Sequence, residues 1–221
     1  MLDLLKKYNV EVDKTDFEVE KILMSVYNIQ VIYEHGCGPA GWCISHNAES
    51  EQDILFYIND DFSYAELGLI DNYTKEGIFW PKDKEELEKY LSTIDHPINY
   101  KYVNEFPNNV NIDLVRIDGA ENNYRPLLDK VLVYTKFIIA DDINPNAGGI
   151  ERFLTLQEYA AKGLVKFVWA GNKSGLWINT KFNIDTTIFT KAIENSGITH
   201  RYKSYNVFGI QQEHISTKWL K

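Results

Sequence analysis

Two cysteines and two histidines lie close together in a glycine-rich segment of the chain. This segment, residues 35 to 46, reads His-Gly-Cys-Gly-Pro-Ala-Gly-Trp-Cys-Ile-Ser-His. Thiolate sulfur and imidazole nitrogen are the ligand types that zinc prefers in proteins. The sequence therefore predicts a candidate zinc site with four ligands, His35, Cys37, Cys43 and His46. Because the cysteines are further apart than the pairs of most structural zinc sites, the alternative is a protein without a cofactor, in which both thiols pack as small apolar groups beside a glycine turn.

The same thiols are candidate nucleophiles of an enzyme. A cysteine attacks as its thiolate, which needs a neighbouring base or cation. A histidine can supply that base, and the candidates are His35 nearby and His200 far along the chain. One hypothesis is therefore a hydrolase or transferase in which Cys37 or Cys43 acts together with one of these histidines.

Paired acidic residues follow two predicted strands. Asp60 and Asp61 come after one apolar run, and Asp141 and Asp142 come after another. Carboxylates at neighbouring strand ends can share a magnesium ion, although Asp is also common wherever a strand gives way to a turn. No segment is recognised as a phosphate-binding loop or a dinucleotide fingerprint, so the sequence does not predict nucleotide binding.

The charge of the chain is distributed unevenly. Its formal net charge is −9 at pH 7, and the acidic residues are concentrated in the first half. Aromatic residues make up 14% of the chain, and Tyr and Trp provide large contact areas at interfaces. We therefore predict an acidic, aromatic contact surface for a protein partner with a basic surface, formed by Asp60, Asp61, Tyr64, Glu66 and Asp71.

This composition resembles that of bacterial immunity proteins and phage-encoded inhibitors. The resemblance implies a protein that acts by binding another macromolecule, and it favours this role over the cysteine- and histidine-dependent enzyme. A third hypothesis is single-stranded nucleic-acid binding by the C-terminal part, where lysines are interleaved with aromatic residues. Alternation there places Phe167 and Trp169 on one face and Lys166 on the other, which is also the pattern of a core strand with a solvated face.

The pattern of apolar runs and turn residues indicates the fold class. Helical and strand patterns interleave without the regular spacing of a doubly wound sheet. We therefore predict an α+β fold, with helices packed on a mainly antiparallel sheet and a hairpin at residues 164–180. A turn-rich connection near residue 100 indicates two lobes, an acidic N-terminal α/β lobe at 1–100 and a C-terminal α+β lobe at 101–221, with a single compact domain as the equal alternative.

The start of the chain and its apolar runs indicate where the protein is found. The first residues combine acidic and basic side chains and lack the uninterrupted apolar region of a signal peptide. No apolar run approaches the length of about 20 residues that crosses a bilayer. With only two cysteines in addition, the sequence predicts a cytoplasmic protein without a membrane anchor.

Overall fold

The computed structural model describes residues 7–8, 12–49, 53–66, 70, 78–119, 123–143, 150–170, 173–198, 206–207 and 210–211. One sheet contains β1 (Val31–His35), β2 (Leu55–Asn59), β3 (Tyr100–Tyr102), β4 (Leu114–Ile117), β5 (Phe137–Ala140), β6 (Val165–Ala170) and β7 (Gly175–Asn179), and β8 (Asn206–Val207) pairs separately with β9 (Ile210–Gln211). The helices are α1 (Lys14–Tyr27), α2 (Gly41–Glu49), α3 (Ser63–Glu66), α4 (Lys84–Leu91), α5 (Arg125–Tyr134), α6 (Ile150–Ala161) and α7 (Thr187–Ser196). Within these stretches no helix is long and apolar enough to cross a membrane.

The order and direction of the strands differ from the prediction. The sheet order is β3-β2-β1-β4-β5-β7-β6. The pairs from β3 through β5 are parallel, and β7 is antiparallel to both of its neighbours, β5 and β6. The prediction of a mainly antiparallel sheet in an α+β fold was therefore wrong. Parallel strands are connected through helices and are buried on both faces. All residues of β4 and β5 are buried here. Such strands lack the alternation of apolar and polar residues that indicates an antiparallel strand with one solvated face.

Helices cover both faces of the sheet and create two apolar layers. One layer contains the inward side chains of α1, α2, α4 and α7. The other contains those of α5 and α6. Strands from both predicted lobes, residues 1–100 and 101–221, belong to this one sheet, because β1 pairs with β2 on one side and with β4 on the other.

Helix α1 begins at Lys14, directly after the capping residue Asp13. The side chain of Asp13 caps the helix by accepting a hydrogen bond of 3.0 Å from the amide of Asp16, which satisfies one of the free donors in the first turn. The helix ends at Asn28, which has a left-handed backbone conformation. These caps determine where the acidic side chains of α1 lie relative to the sheet.

The hairpin of β6 and β7 carries two of the aromatic residues considered for nucleic-acid binding. Trp177 is fully buried and Trp169 is 8% exposed. Phe167 packs edge-on against Trp177, with ring centroids 5.0 Å apart. These indole rings belong to the core, so they are not available to stack on nucleic-acid bases.

Candidate functional site

A cavity opens at the carboxyl edge of the sheet. Its wall includes the residues that directly follow four strands, which are Gly36, Cys37 and Gly38 after β1, Asp60 and Asp61 after β2, Asp118 and Gly119 after β4, and Asp141 and Asp142 after β5. The strand order runs from β1 to β3 in one direction and from β4 to β5 in the other. Open α/β sheets bind ligands at this kind of topological switch point. Its position therefore makes the cavity the candidate functional site.

A tight glycine turn forms one side of the cavity. Gly36 has φ of +77° and Gly38 has φ of +48°, in the left-handed region that glycine adopts without steric cost. A Cβ atom on Gly36 would lie 2.3 Å from the backbone nitrogen of Gly119. The amides of Gly36 and Cys37 both donate to the carbonyl oxygen of Asn59, at 2.9 and 3.0 Å. The turn therefore holds the loops after β1, β2 and β4 in close contact.

The glycines of this turn have the spacing of a nucleotide-binding fingerprint. Gly36, Gly38 and Gly41 follow the pattern G-x-G-x-x-G, between strand β1 and helix α2. This arrangement is typical of a loop that a nucleotide approaches closely. The sequence-based statement that no such fingerprint is present was wrong. The signal was visible in the sequence, but the segment was interpreted through its cysteines and histidines instead.

Asp60 faces the glycine turn from the end of β2. Its carboxylate accepts two hydrogen bonds of 2.6 Å, one from the amide of Gly38 and one from the amide of Phe62. Burial raises the pKa of Asp60, and these two amide donors partly offset the rise. In nucleotide-binding sheets an acidic residue that follows the fingerprint binds the ribose hydroxyls. Asp60 therefore has the side chain and the place of a ribose-binding residue.

Aromatic rings form another part of the cavity wall. Trp42, Tyr64 and Trp80 line the cavity. The rings of Tyr64 and Trp80 are 5.2 Å apart between centroids. Trp80 also covers the glycine turn, since a Cβ atom on Gly38 would lie 2.9 Å from its ring. These rings provide flat apolar surfaces of the kind that stack with a heteroaromatic ligand.

Non-glycine residues with a left-handed backbone occur near three of these strand ends. They are Ala40, Phe62 and Asp142, with φ values of 55°, 56° and 49°. For an ordinary residue this conformation costs on the order of 1–2 kcal/mol, and it persists where the surrounding contacts impose it. The amide of Phe62 shows one such contact, its hydrogen bond to Asp60. The loops around the cavity are therefore held in specific conformations.

Buried cations accompany the carboxylates after β4 and β5. Arg116 donates to Asp141 at 2.9 Å, and Arg152 donates to Asp118 at 3.3 Å. Burial alone would raise the pKa of Asp141, but Arg116 and the Ser174 hydroxyl lower it below its usual value. For Asp118, burial and the charge of Asp141 outweigh the two arginines, so its pKa is raised well above the usual value.

These contacts bear on the magnesium hypothesis. One oxygen of Asp141 accepts from Arg116 and the other lies 2.9 Å from the Ser174 hydroxyl. The charge that would attract a divalent cation is thus already balanced within the protein. Among the residues that the structure describes, no group of three or more His, Cys, Asp or Glu side chains is arranged to hold a metal ion.

The four residues of the candidate zinc site do not converge. His35 lies at the end of β1, where its Nδ1 is 3.1 Å from the hydroxyl of Tyr33, a residue of the α5–α6 layer. His46 lies in α2 and packs 4.5 Å from the ring of Phe17, in the opposite layer. The two histidines therefore occupy opposite faces of the sheet. The spacing in sequence did not show that the segment continues from a strand through a turn into a helix.

The two thiols have the environment of core residues. Cys37 and Cys43 are free and buried. Burial raises the pKa of both thiols well above the usual value, which is opposite to what an attacking thiolate requires. His35, the nearer candidate base, contacts the hydroxyl of Tyr33, and His200 lies outside the described residues.

The residues predicted for a partner surface lie at the cavity instead of on an open face. Asp60, Asp61 and Tyr64 all line it. Glu66 ends α3, but its side chain lies outside the described part, as does the whole of Asp71. Three of the acidic and aromatic residues selected from the sequence therefore belong to a concave site.

Comparisons with known proteins concern the fold. No protein-family model matches the sequence, and a search of curated proteins finds no match. Among solved structures, cofactor-bound Rv0187 from MTB matches with a TM-score of 0.54 and 11% identity, over 80% of this chain and 87% of that one. A protein assigned as a caffeoyl-CoA O-methyltransferase from Staphylococcus aureus matches with a TM-score of 0.50 and 13% identity, over 80% and 91%. The chain therefore shares the Rossmann-like fold of these two proteins.

These matches correct three predictions. An inhibitor or immunity protein was inferred from composition alone, and the match to a methyltransferase fold contradicts it. The cysteine- and histidine-dependent enzyme is contradicted by the same finding. The expectation of no cofactor apart from zinc was also wrong, since the matching protein Rv0187 is cofactor-bound. The comparisons also give no support to a protein partner with a basic surface. That partner was inferred from composition, which reports neither the shape of a site nor its depth.

Proposed function

We propose that the protein is a methyltransferase that uses S-adenosylmethionine. The observation that carries the proposal is the glycine turn at the end of β1, which meets the Asp60 carboxylate at the end of β2. The two features lie at the switch point of a methyltransferase-like sheet. When bound, S-adenosylmethionine supplies a methyl group activated by its positively charged sulfur.

The residues present at the cavity fit this cofactor. Each Asp60 oxygen accepts one backbone hydrogen bond and keeps a lone pair that can accept from a ribose hydroxyl. Tyr64 and Trp80 would stack with the adenine ring. The acidic residues of the lining would attract the ammonium group and the positively charged sulfur of the cofactor. The turn at Gly36 and Gly38 would leave room for close approach to the backbone.

The contribution of the chain to the reaction is positioning and exclusion of water. Groups held by the ends of a rigid sheet keep their geometry, and correct placement of two reactants accounts for much of the acceleration of a bimolecular transfer. The methyl acceptor would enter beside Asp142, at the end of β5, which two strands, β1 and β4, separate from Asp60 at the end of β2.

Calorimetric titration with S-adenosylhomocysteine tests the proposal. We expect the wild-type protein to bind this probe and Asp60→Asn to bind it at least about tenfold more weakly, because hydrogen bonds to a charged acceptor contribute roughly 1.5–3 kcal/mol. Asparagine keeps one oxygen for one of the two backbone amides, and the other amide loses its acceptor. The matched control is Asp53→Asn, which changes an exposed residue just before the other end of β2. No binding by the wild type would refute the proposal.

Nucleic-acid binding stays a prediction from the sequence, and in this reaction nucleic acid would be the methyl acceptor. Transfer of label from methyl-labelled S-adenosylmethionine to mixed RNA and DNA would test it, with the Asp60→Asn variant as the blank. We also propose a cytoplasmic location, which is supported by the two free, buried thiols, since unpaired cysteines are typical of reducing compartments.

A further inference from the structure

Arg116 is a charged residue in the middle of the sheet. It lies on β4, between Glu34 of β1 and Ile139 of β5 in the strand register. Its side chain is only 1% exposed, at a position where parallel strands carry apolar residues. Burying a guanidinium costs free energy unless its partners compensate. The contacts of Arg116 therefore indicate what this residue contributes.

The guanidinium of Arg116 contacts side chains that line the cavity. It donates to Asp141 at 2.9 Å. Its central carbon lies 3.8 Å from the ring centroid of Trp42, and Asp118 is 3.9 Å away. Trp42, Asp118 and Asp141 line the cavity, whereas Arg116 does not. Arg116 therefore supports the cavity wall from behind.

Asp141 depends on Arg116 for its charge. The hydroxyl of Ser174 lies 2.9 Å from Asp141, and it also lies 2.7 Å from the carboxylate of Asp16. A hydroxyl has one proton to donate, so it cannot donate to both carboxylates at once. Burial raises the pKa of Asp141, and of the groups that lower it Arg116 has the largest effect, ahead of Ser174, the amide of Asp142 and the side chain of Asp118. The pKa of Arg116 itself is held above the usual value because the surrounding acids outweigh the effect of burial.

We propose that Arg116 is a positioning residue of the cofactor site, whose guanidinium holds the Asp141 carboxylate and the Trp42 ring in the cavity wall. The proposal rests on the proposed function, because it concerns the same cavity. Arg116 supplies from inside the protein a positive charge that balances carboxylates at the strand ends. Its effect on a ligand is exerted through Asp141 and Trp42, since Arg116 itself does not reach the cavity.

The titratable groups around this pair come from several elements. They are Asp16 and Glu20 of α1, Glu34 of β1, His46 of α2 through its contact with Glu20, Asp118 after β4, Asp142 after β5 and Arg152 of α6. Several of these groups are acidic, so removing Arg116 leaves negative charge in a buried place. Such charge is relieved by protonation or by movement of the carboxylate.

The test is the affinity for S-adenosylhomocysteine at pH 6 and pH 8, measured by calorimetry. We expect Arg116→Met to bind at least tenfold more weakly than the wild type at pH 8 and to recover affinity at pH 6, because protonation of the Asp141 carboxylate relieves its uncompensated charge. Arg116→Lys keeps the charge and should keep the wild-type pH profile. The matched control is Arg125→Met, which removes an exposed arginine of α5 that pairs with Glu158.

A double variant separates positioning from general damage to the fold. Arg116→Met combined with Asp141→Asn removes both charges, so it should fold more readily than the single variant and lose its pH dependence. The inference is overturned if Arg116→Met shows the affinity and pH profile of the wild type, or if the double variant keeps the pH dependence of the single one. If the wild type does not bind the probe, the proposed function fails. The indole NMR signal of Trp42 then tests Arg116 alone, because it should shift more between pH 6 and pH 8 in Arg116→Met than in the double variant.

Discussion

Asp16 should make the stability of the protein fall as the pH rises. It is a buried acid in the first turn of α1. Its carboxylate accepts from the Ser174 amide at 3.0 Å and lies 2.7 Å from the Ser174 hydroxyl. Burial raises the pKa of Asp16 from 3.8 to about 7, although the Ser174 hydroxyl lowers it in part. The folded protein therefore holds a proton on Asp16 at pH values where the unfolded chain has released it.

The sign and size of the effect follow from proton linkage. Between the two pKa values the folded state binds more protons than the unfolded state, so the free energy of unfolding decreases with increasing pH. Each pH unit of difference corresponds to about 1.4 kcal/mol, so the whole shift is worth roughly 4 kcal/mol. Between pH 5 and pH 8 the expected loss is roughly 3 kcal/mol, a large part of the ~5–15 kcal/mol that stabilises an ordinary domain.

Urea unfolding followed by tryptophan fluorescence at several pH values between 5 and 8 measures this contribution. The quantity of interest is the difference in unfolding free energy between the wild type and Asp16→Asn, in which the pH dependence of other groups largely cancels. That difference should fall by roughly 3 kcal/mol across the range. Ser174→Ala should extend the fall to higher pH, because it removes a group that lowers the pKa of Asp16. A difference that stays constant with pH would refute the reasoning.

Two further predictions concern the glycine turn and the thiols. Gly36→Ala should destabilise the protein by more than about 3 kcal/mol in urea unfolding, because its Cβ would overlap the backbone of Gly119. Gly163→Ala is the control, since Gly163 also has a positive φ but nothing lies within 4 Å of the added atom, so it should lose only about 1–2 kcal/mol. Cys37 and Cys43 should resist alkylation at pH 8 until urea unfolds the protein, and rapid labelling of the native protein in mass spectrometry would contradict their burial.

The candidate site was predictable in its residue types but not in their roles. Asp60, Asp61 and Tyr64 were selected from sequence for their charge and aromatic character, and they line the cavity. The spacing of Gly36, Gly38 and Gly41 could have indicated a nucleotide-binding loop directly. Arg116 could not be found in this way, because a single arginine between apolar residues has no local signature of burial.

The sequence by itself determined features that depend on residues a few positions apart. The hairpin predicted at residues 164–180, which the structure forms as β6 and β7, follows from alternation and turn residues, which act locally. Only the tertiary structure decided which strands are neighbours, because parallel pairing joins segments separated by whole helices and leaves no alternating pattern. The same long-range pairing brings four strand ends to one edge and places Arg116 behind Asp141. The cavity is therefore a product of strand order, which no short segment of the chain encodes.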